Sequence, residues 1–347
     1  MTEQRSRVRK VVAQPTPATA GAPAQWPPRL SWLSGGAPLV ARWRRAGILF
    51  PLVLLFVVLS VSSGPFFTKN NLLNILDQQS ATLIMAAAGT LVLVGGGIDL
   101  SVGANYALSG VVAAQVLQHN SIGLGVAAGV GVGLLVGLAN GVITTFFRIN
   151  SLIATLAMSF IASGIASRVT NGNLLVLTGK PDFAKIARTD FLTVRTSIWI
   201  MVVCVLLLGL VLSRTTTGRY LYAAGGNAEA ARLAGVRVKG VRIVAFAASG
   251  AAAGIAGIID ASRVLSAQAS SGNQLAFTVL AGIVVGGTSI LGGDGAIWRT
   301  AAGVLFIALV GNGYDLLGVN PLYEQITLGV ILLLAVGVDA WSRTQRT

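Results

Sequence analysis

Ten long apolar runs constrain the fold of this chain more than any other feature of its sequence. A helix needs about 20 mostly apolar residues to cross a hydrocarbon core about 30 Å thick, and the runs are close to that length. They are unbroken rather than alternating at every second residue, so they predict helices and not the strands of a β-barrel. The predicted spans are 46–63, 74–94, 102–117, 122–146, 151–168, 194–213, 243–262, 275–291, 297–315 and 323–341.

The composition excludes an ordinary soluble protein. Hydrophobic residues make up 54% of the 347 residues and charged residues only 10%, whereas about 25% of the residues in an average globular domain are charged. A soluble protein with so many apolar helices would need charged faces between them, and here the charges gather in a few short clusters. We therefore predict an all-α, polytopic membrane protein whose transmembrane domain extends over residues 46–341.

The distribution of Lys and Arg predicts the orientation of the spans. With the N-terminus inside, 18 of the 25 basic residues lie in the cytoplasm, where such residues collect. Both termini are then cytoplasmic, and the net charge of +14 is explained by topology and by attraction to the headgroups of membrane lipid. Aromatic residues do not interleave the basic ones as a nucleic-acid groove requires, so no nucleic acid is expected as a partner.

The first 45 residues differ from the rest of the chain. They are basic and lack apolar periodicity, which predicts a disordered cytoplasmic tail at 1–45. Farther along, the single cysteine, Cys204, excludes an internal disulfide, and the single histidine, His119, leaves no cluster typical of a metal site. We expect neither a metal nor a cofactor on this chain.

Two glycine-rich segments interrupt the apolar pattern, LVGGGIDLSVGA at 93–104 and VGGTSILGGDGA at 285–296. A second echo relates GLANG at 137–141 to LVGNG at 309–313. Unwound glycine segments at matching positions are typical of transport proteins built from two repeated halves. The echoes predict an internal two-fold repeat, and chance similarity within glycine-rich membrane sequence is the alternative. The predicted helix-breaking residues are Gly95, Gly96, Gly97, Gly286 and Gly287.

Asp99 follows three glycines in an otherwise apolar surrounding. A carboxylate at bilayer depth is costly and by default indicates function. Residue types alone favour another interpretation, in which Asp99 caps the following helix with the help of Ser101. The two roles are compatible. The candidates for a solute pathway are the polar residues near the glycine breaks, namely Asp99, Ser101, Asn140 and Ser289.

The remaining acids of the spans are predicted to lie near the outer ends, where they reach water. An ion-coupled carrier usually places several acids or a histidine at mid-depth, and the sequence lacks that pattern. These acids are Asp77, Asp260, Asp315 and Glu324.

The longest cytoplasmic loop after the tail is predicted at 213–242. Its sequence NAEAARLAG predicts a helix from Ala228 to Leu233 that is stopped by Gly235. A helix of this length is not stable alone in water, so it docks either on the chain's own spans or on a partner. The chain has no GxxxxGK[ST] motif, so energy from ATP would have to come from another polypeptide.

Five stretches of the sequence together resemble the ribose-type permeases of bacterial ABC importers, which take up simple sugars. The similarity extends from about residue 47 to residue 341, in the family's order and spacing. The stretches are GGGIDLSVGA at 95–104, INSLIATLAMSFIASGIA at 149–166, GRYLYAAGGNAEAARLAGVRVKGVR at 218–242, VVGGTSILGGDGA at 284–296 and LGVNPLYEQITLGVILLLAVGVD at 317–339.

The resemblance implies a permease subunit of the inner membrane rather than an enzyme. Members of the family pair with a second permease subunit, usually as a homodimer, and receive substrate from a periplasmic binding protein. A cytoplasmic ABC ATPase, which holds the ATP and Mg, drives alternating access. An ion-coupled secondary transporter of a small polar solute is the alternative function.

The resemblance also assigns roles to particular residues. The EAAxxxG core of the loop that contacts the ATPase in many import permeases is matched by Glu229, Ala230, Ala231 and Gly235. The later part of that signature, ending in Ile-x-Leu-Pro, is absent here. Asp294 stands where family members often have Arg or Lys, so the local charge pairing there, with Arg299 as the candidate partner, is expected to differ from that of the family.

Overall fold

The computed structural model describes residues 47–320 and 322–344. The predicted tail at 1–45 lies outside these residues. The first helices are α1 (Leu49–Ser62), α2 (Lys69–Gln78), α3 (Ser80–Val94), α4 (Val102–His119), α5 (Ile122–Phe146), α6 (Ser151–Thr170) and α7 (Lys185–Arg188). They are followed by α8 (Thr196–Arg214), α9 (Thr216–Gly226), α10 (Ala228–Leu233), α11 (Val238–Val264), α12 (Leu275–Val285), α13 (Ile297–Leu317) and α14 (Leu322–Thr344).

Short strands organise the loops at one end of the helices. In the long loop between α6 and α8, β1 (Leu175–Val176) is followed by a 3₁₀ helix, Pro181–Ala184, by α7 and by a small hairpin. The hairpin consists of β2 (Asp190–Phe191) and β3 (Val194–Arg195), which pair antiparallel. β1 pairs antiparallel with β4 (Ser266–Ala267), which follows α11. This pairing ties the long loop to the end of α11.

Each of the ten predicted spans overlaps a helix of the structure. Within the described ranges, α5, α6, α8, α11 and α13 are long and apolar enough to cross a membrane, and α1, α3, α12 and the first part of α14 are shorter apolar helices. The structure therefore agrees with an all-α membrane protein. The number of crossings stays a prediction.

Two predicted spans contain an interruption of the helix. The run 74–94 is divided at Gln79, between α2 and α3. The carbonyl of Asp77 accepts hydrogen bonds from Ser80 Oγ at 2.7 Å and from Arg263 Nη2 at 2.6 Å, and such side-chain donors stabilise a helix end. The run 275–291 is helical only as far as Val285, because the glycines at 286–287 end the helix.

Helices α5 and α11 pack closely through glycine. A Cβ atom on Gly137 would lie 2.3 Å from the carbonyl oxygen of Phe246, and one on Gly250 would lie 2.3 Å from that of Gly133. Small residues at a spacing of four allow helix backbones to approach within a membrane. α11 also contacts α3 and α4 and so forms the centre of the bundle. The buried glycines on this face of α5 are Gly125, Gly129, Gly133, Gly137 and Gly141.

Candidate functional site

The first glycine segment ends α3 with a left-handed residue. Gly95 keeps a helical conformation and Gly96 has φ +78°, a value that favours glycine. The amide of Gly97 donates to the carbonyl oxygen of Val92 at 2.9 Å, which is the hydrogen bond that closes a Schellman motif. We call residues 95–101 the first break.

The second glycine segment ends α12 in the same way. Gly286 is helical, Gly287 has φ +83°, and the amide of Thr288 donates to the carbonyl oxygen of Ile283 at 3.2 Å. We call residues 286–296 the second break. All five predicted helix-breaking glycines thus lie directly after a helix end, and the two breaks share one local geometry.

The structure brings the two breaks together. The amide of Gly293 donates to the carbonyl oxygen of Val94 at 2.9 Å. A Cβ atom on Gly292 would lie 2.8 Å from the Cα atom of Gly96, so the two backbones touch where neither has a side chain. The two segments that the sequence paired by similarity are therefore also neighbours in space.

The end of α9 lies on this contact. A Cβ atom on Gly225 would lie 1.8 Å from the carbonyl oxygen of Val94 and 2.6 Å from the amide nitrogen of Gly293. Gly225 therefore covers the hydrogen bond that joins the breaks. We call the contact of Val94, Gly96, Gly225, Gly292 and Gly293 the glycine junction.

Two side chains donate hydrogen bonds to backbone carbonyl groups next to the glycine junction. Tyr222 of α9 donates its hydroxyl hydrogen to the carbonyl oxygen of Gly295 at 2.7 Å. Arg242 of α11 donates from Nε to the carbonyl oxygen of Gly95 at 2.9 Å and from Nη2 to that of Ala224 at 3.4 Å. Sequence reasoning missed both residues, because neither contact follows from a motif or a spacing.

Backbone amides of the first break donate hydrogen bonds to hydroxyl groups of α6. The amide of Ile98 donates to Ser151 Oγ and that of Leu100 to Thr155 Oγ1, each at 3.0 Å. Thr155 Oγ1 also donates to the carbonyl oxygen of Ile98 at 3.3 Å. Because backbone groups inside a membrane need partners within the protein, these hydroxyls allow the helix to unwind there.

Three of the four predicted pathway residues form one hydrogen-bonded cluster. Asp99 Oδ1 accepts from Ser101 N at 3.0 Å and from Ser101 Oγ at 2.7 Å. Asn140 Nδ2 donates to Ser101 Oγ at 2.7 Å, and Ser249 Oγ of α11 donates to Asp99 Oδ2 at 2.7 Å. We call Asp99, Ser101, Asn140 and Ser249 the Asp99 cluster. Ser249 was not predicted.

The position of Asp99 bears on both of its predicted roles. Its bond to the amide of Ser101 lies one residue before Val102, where α4 begins. Asp99 therefore orders the turn that leads into α4, but within the described residues no side chain caps the first amides of α4, so the predicted capping bond is not formed in this conformation. Both of its carboxylate oxygens accept hydrogen bonds from the protein in this conformation, and contact with a solute stays a prediction.

Two buried amide oxygens lie among the same helices. Within the described residues, Asn140 Oδ1 and Asn105 Oδ1 have no hydrogen-bond partner. The amide nitrogen of Asn105 donates to the carbonyl oxygen of Gly133 at 3.0 Å. A buried acceptor without a partner is destabilising by about 1–3 kcal/mol. Both oxygens can accept a further hydrogen bond, but a solute hydroxyl would reach them only after the surrounding helices move.

The fourth predicted pathway residue, Ser289, belongs to the second break. Its amide donates to the carbonyl oxygen of Asp294 at 2.9 Å. The Asp294 side chain accepts a hydrogen bond of 2.7 Å from Arg299 Nη2. Arg299, the candidate partner, therefore does pair with Asp294, and a difference from the family stays a prediction.

Helix α10 is the helix that the cytoplasmic loop predicts. Asn227 caps it, since its Oδ1 accepts from the amide of Ala230 at 2.9 Å. Gly235, at φ +84°, follows its end. Ala231 is 5% exposed and packs against the protein, whereas Leu233 is 74% exposed.

The charges of α10 pair with each other. Arg232 donates from Nη2 to Glu229 Oε1 at 2.5 Å and from Nε to Glu229 Oε2 at 3.0 Å. These hydrogen bonds and the charge of Arg232 lower the pKa of Glu229. A lowered pKa means that Glu229 loses its charge only below the usual range of a glutamate. The pair is therefore present throughout the neutral range of pH.

A second charged cluster was missed in the sequence. Asp77 is 2% exposed, and its carboxylate accepts from Arg195 Nη1 at 2.5 Å and from Ser197 Oγ. Arg263 Nη2 lies 3.5 Å from Asp77 Oδ1. The prediction that Asp77 reaches water is wrong, because donors from the start of α8 and the end of α11 converge on it. Asp315 and Glu324 are exposed, as predicted.

A positively charged cavity of about 530 Å³ lies beside this cluster. Arg195 and Arg263 line it and hold Asp77 at the same time. Arg188 donates from Nε to the carbonyl oxygen of Arg263 at 2.6 Å. The lining residues are Arg188, Asp190, Arg195, Arg263 and Val264.

The two segments of the second predicted echo, 137–141 and 309–313, lie on helices that do not occupy matching places in the two halves of the chain. Asn140 lies on α5, the second helix after the first break, whereas Asn312 lies on α13, the first helix after the second break. Asn312 exchanges two hydrogen bonds of 3.0 and 3.1 Å with Asn71 of α2. The predicted two-fold repeat is therefore supported by the geometry of the breaks and not by these asparagines, and it stays a prediction.

Comparison with known proteins identifies the family. Residues 71–336 match the family described as branched-chain amino acid transport system/permease component. The chain belongs to this permease family. It is 41% identical over 299 residues to the ribose import permease protein RbsC of Escherichia coli (strain K12), with 84% of this chain and 92% of that protein covered.

Other relatives of this permease have similar coverage. The L-arabinose ABC transporter permease protein AraH of Azospirillum brasilense is 37% identical over 305 residues, which cover 87% of this chain and 89% of that protein. The probable ABC transporter permease protein YphD of Escherichia coli (strain K12) is 38% identical over 292 residues, 84% of this chain and 87% of that protein. The predicted resemblance to ribose-type permeases is confirmed. The family and the apolar helices together indicate a multi-pass permease of the inner membrane.

Proposed function

We propose that this permease is the membrane-spanning subunit of an ATP-driven importer of simple sugars. It passes a pentose, a hexose or a related polyol from a periplasmic binding protein to the cytoplasm by alternating access. ATP and Mg bind a separate cytoplasmic ABC ATPase, and a second permease subunit, in the simplest case another copy of this chain, completes the pathway.

The observation that carries this proposal is the geometry of α10. The helix is docked on the protein through Ala231 and presents Leu233 and the paired charges of Glu229 and Arg232 to its surroundings. A six-residue helix gains its stability from packing rather than from propensity. An ATPase that binds this helix and moves it would also move α9, which ends immediately before it. The proposed contact residues are Glu229, Ala230, Ala231 and Gly235.

The sugar class follows from the relatives and fits the polar residues of the bundle. The relatives named above import ribose and L-arabinose. A sugar offers several hydroxyl donors, and Asn140 Oδ1 and Asn105 Oδ1 are buried acceptors in need of one. We propose that the solute path passes the Asp99 cluster and Ser289. Weak binding is sufficient there, since selectivity rests largely on the binding protein.

The proposal includes the topology. Ten crossings with both termini in the cytoplasm place α10 and the glycine junction on the cytoplasmic side. Asp77, Arg195 and Arg263 then lie on the outer side. The excess of basic residues in the predicted inner loops supports this orientation.

Transport in proteoliposomes tests the function. The permease is reconstituted with the ATPase and binding protein of its own transport system, and uptake of D-ribose, L-arabinose, D-xylose and D-galactose is measured with and without internal ATP. We expect uptake of one or more of these sugars only when ATP and the binding protein are both present.

The same experiment examines the alternative. An ion-coupled carrier would take up sugar with this chain alone, driven by a proton or sodium gradient and abolished by an ionophore. Uptake of that kind, or uptake independent of ATP, would overturn the proposed function.

A further inference from the structure

The end of α9 touches both glycine breaks and also leads directly into α10. We propose that Tyr222 and Arg242 are positioning residues that transmit movement of α10 to the two breaks, so that both breaks shift together during a transport cycle. This inference rests on the proposed function, because it takes α10 as the helix that the ATPase moves.

The first step is the connection between α9 and α10. Only Asn227 separates the two helices. Its amide donates to the carbonyl oxygen of Ala223 in α9 at 3.0 Å, and its side chain accepts from the amide of Ala230 in α10 at 2.9 Å. One residue thus bonds to both helices, and α10 cannot move far without the end of α9.

The second step is the connection from α9 to the second break. The hydroxyl of Tyr222 donates to the carbonyl oxygen of Gly295 at 2.7 Å. Gly295 lies at the end of the second break, just before α13 begins at Ile297. A shift of α9 therefore pulls on the backbone that sets the start of α13.

The third step is the connection from α9 to the first break. Arg242 donates to the carbonyl oxygens of Gly95 in the first break and Ala224 in α9. Both oxygens lie at the C-terminal ends of helices, where the helix dipole favours a cation. The guanidinium group has five donors in a fixed plane, so it can hold two carbonyl groups at a set distance from each other.

The glycine junction joins the two breaks directly, so the connections from α9 through Tyr222 and through Arg242 act on the same unit. Gly225 lies over the hydrogen bond from Gly293 to Val94, with no side chain between the three backbones. The first break continues into the Asp99 cluster through Asp99 and Ser101. Movement of α9 would therefore reach both helix breaks and the polar cluster.

A purely structural role for these side chains makes a different prediction. If Tyr222 and Arg242 only stabilise the fold, their removal lowers the thermal midpoint without changing the amount of sugar moved per ATP. If they transmit movement, the ratio of sugar imported to ATP hydrolysed falls in a complex that still assembles. The ratio is therefore the decisive measurement.

The test compares Tyr222→Phe and Arg242→Gln with matched controls in the reconstituted complex. Tyr220→Phe removes the hydroxyl of an exposed tyrosine on the same helix, and Arg237→Gln removes an exposed arginine just before α11. Loss of one hydrogen bond predicts a fall of about fivefold in sugar imported per ATP for Tyr222→Phe, and a larger fall for Arg242→Gln. Arg242→Lys should recover only part of the loss. Both controls should match wild type.

The outcomes separate this inference from the proposed function. Wild-type protein that imports no pentose, hexose or polyol when ATP and the binding protein are both present would contradict the proposed function. Wild-type import together with an unchanged ratio in Tyr222→Phe would overturn the inference alone.

Hydrogen exchange gives a second measurement that does not depend on transport. In the wild-type complex, addition of a non-hydrolysable ATP analogue should change exchange in segments 93–101 and 286–296 together. In Tyr222→Phe the change should become smaller in both segments, because the glycine junction still joins them. Independent responses of the two segments in wild type would contradict a common unit.

Discussion

The amide of Gly293 donates a hydrogen bond of 2.9 Å to the carbonyl oxygen of Val94, and this bond joins two helix breaks that lie about two hundred residues apart in the chain. Val94 is the last residue of α3, so its carbonyl group has no partner within that helix. The second break supplies the missing donor. The last carbonyl group of α3 thus receives its hydrogen bond from the break that follows α12.

Gly225→Ala should disrupt this contact. The new methyl group would overlap the carbonyl oxygen of Val94 and the amide of Gly293, which are backbone atoms and cannot rotate away. Forcing an extra carbon into a packed site is destabilising by about 1–3 kcal/mol. We expect a lower thermal midpoint in detergent and a loss of sugar uptake.

The next residue provides the control. A Cβ atom on Gly226 meets nothing within 4 Å, so Gly226→Ala should keep wild-type stability and uptake. Equal effects of Gly225→Ala and Gly226→Ala would show that Gly225 is not in close contact with the backbones of Val94 and Gly293.

The Asp99 cluster allows a test that distinguishes a residue that only orders the turn from a pathway residue. Ser249→Ala removes one of the hydrogen bonds of the Asp99 carboxyl group, and a typical intramolecular hydrogen bond contributes about 0.5–1.5 kcal/mol. Asp99→Ala removes the carboxylate and its bonds to Ser101. We expect both variants to lower the thermal midpoint, and Asp99→Ala also to reduce uptake at equal protein level. Unchanged uptake in Asp99→Ala would leave Asp99 only its role in the turn.

The helices of this permease were predictable because their signal is local. A run of apolar residues is contained in a single stretch of sequence, so the predicted span 122–146 coincides with α5. The local pattern likewise predicted α10, from Ala228 to Leu233 with Gly235 as the stop, whereas the cap at Asn227 was seen only in the structure. A helix end was not predicted where a distant contact contributes to it, as at Gln79.

The contacts between distant segments were not predictable for the same reason. Asp77 is bonded by Arg195, 118 residues later, and its carbonyl group by Arg263, 186 residues later. No spacing rule relates such residues. Similarity between the two glycine segments predicted that they correspond, but not that Gly293 would bond to Val94 or that Gly225 would cover that bond.

Gly235→Arg should separate the permease from its ATPase. Gly235 has φ +84° and open space around its Cα, so a side chain there strains the backbone by about 1–2 kcal/mol without a clash inside the protein. The bulk and strain fall directly after α10. We expect less ATPase to co-purify with the variant and little sugar uptake.

Gly172→Arg is the matched control for Gly235→Arg. Gly172 also has a positive φ, +74°, and open surroundings, but it lies in the loop between α6 and α8, on the outer side in the proposed topology. Its ATPase content should equal that of wild type. Normal ATPase content and uptake in Gly235→Arg would refute the coupling role of this loop.

Asp77→Asn should destabilise the outer end of the bundle. The substitution keeps the size of the side chain but removes the negative charge that faces Arg195 and Arg263. Removing one partner of a fully buried ion pair is destabilising by about 3–5 kcal/mol. Because the Arg195 side chain is 45% exposed, solvent screens its charge and the effect here should be smaller. Asp260 can compensate Arg263 only in part, since its carboxylate lies 3.7 Å from the guanidinium group.

We expect the thermal midpoint of Asp77→Asn in detergent to fall by at least about 5 °C. Asp315→Asn is the matched control, because Asp315 is exposed and the same change there should shift the midpoint little. The double variant Asp77→Asn with Arg195→Gln should be less destabilised than the sum of its single variants, since the two side chains share one interaction. Additive effects would mean that the pair contributes nothing to stability and that Asp77 is held at the break between α2 and α3 by its backbone contacts alone.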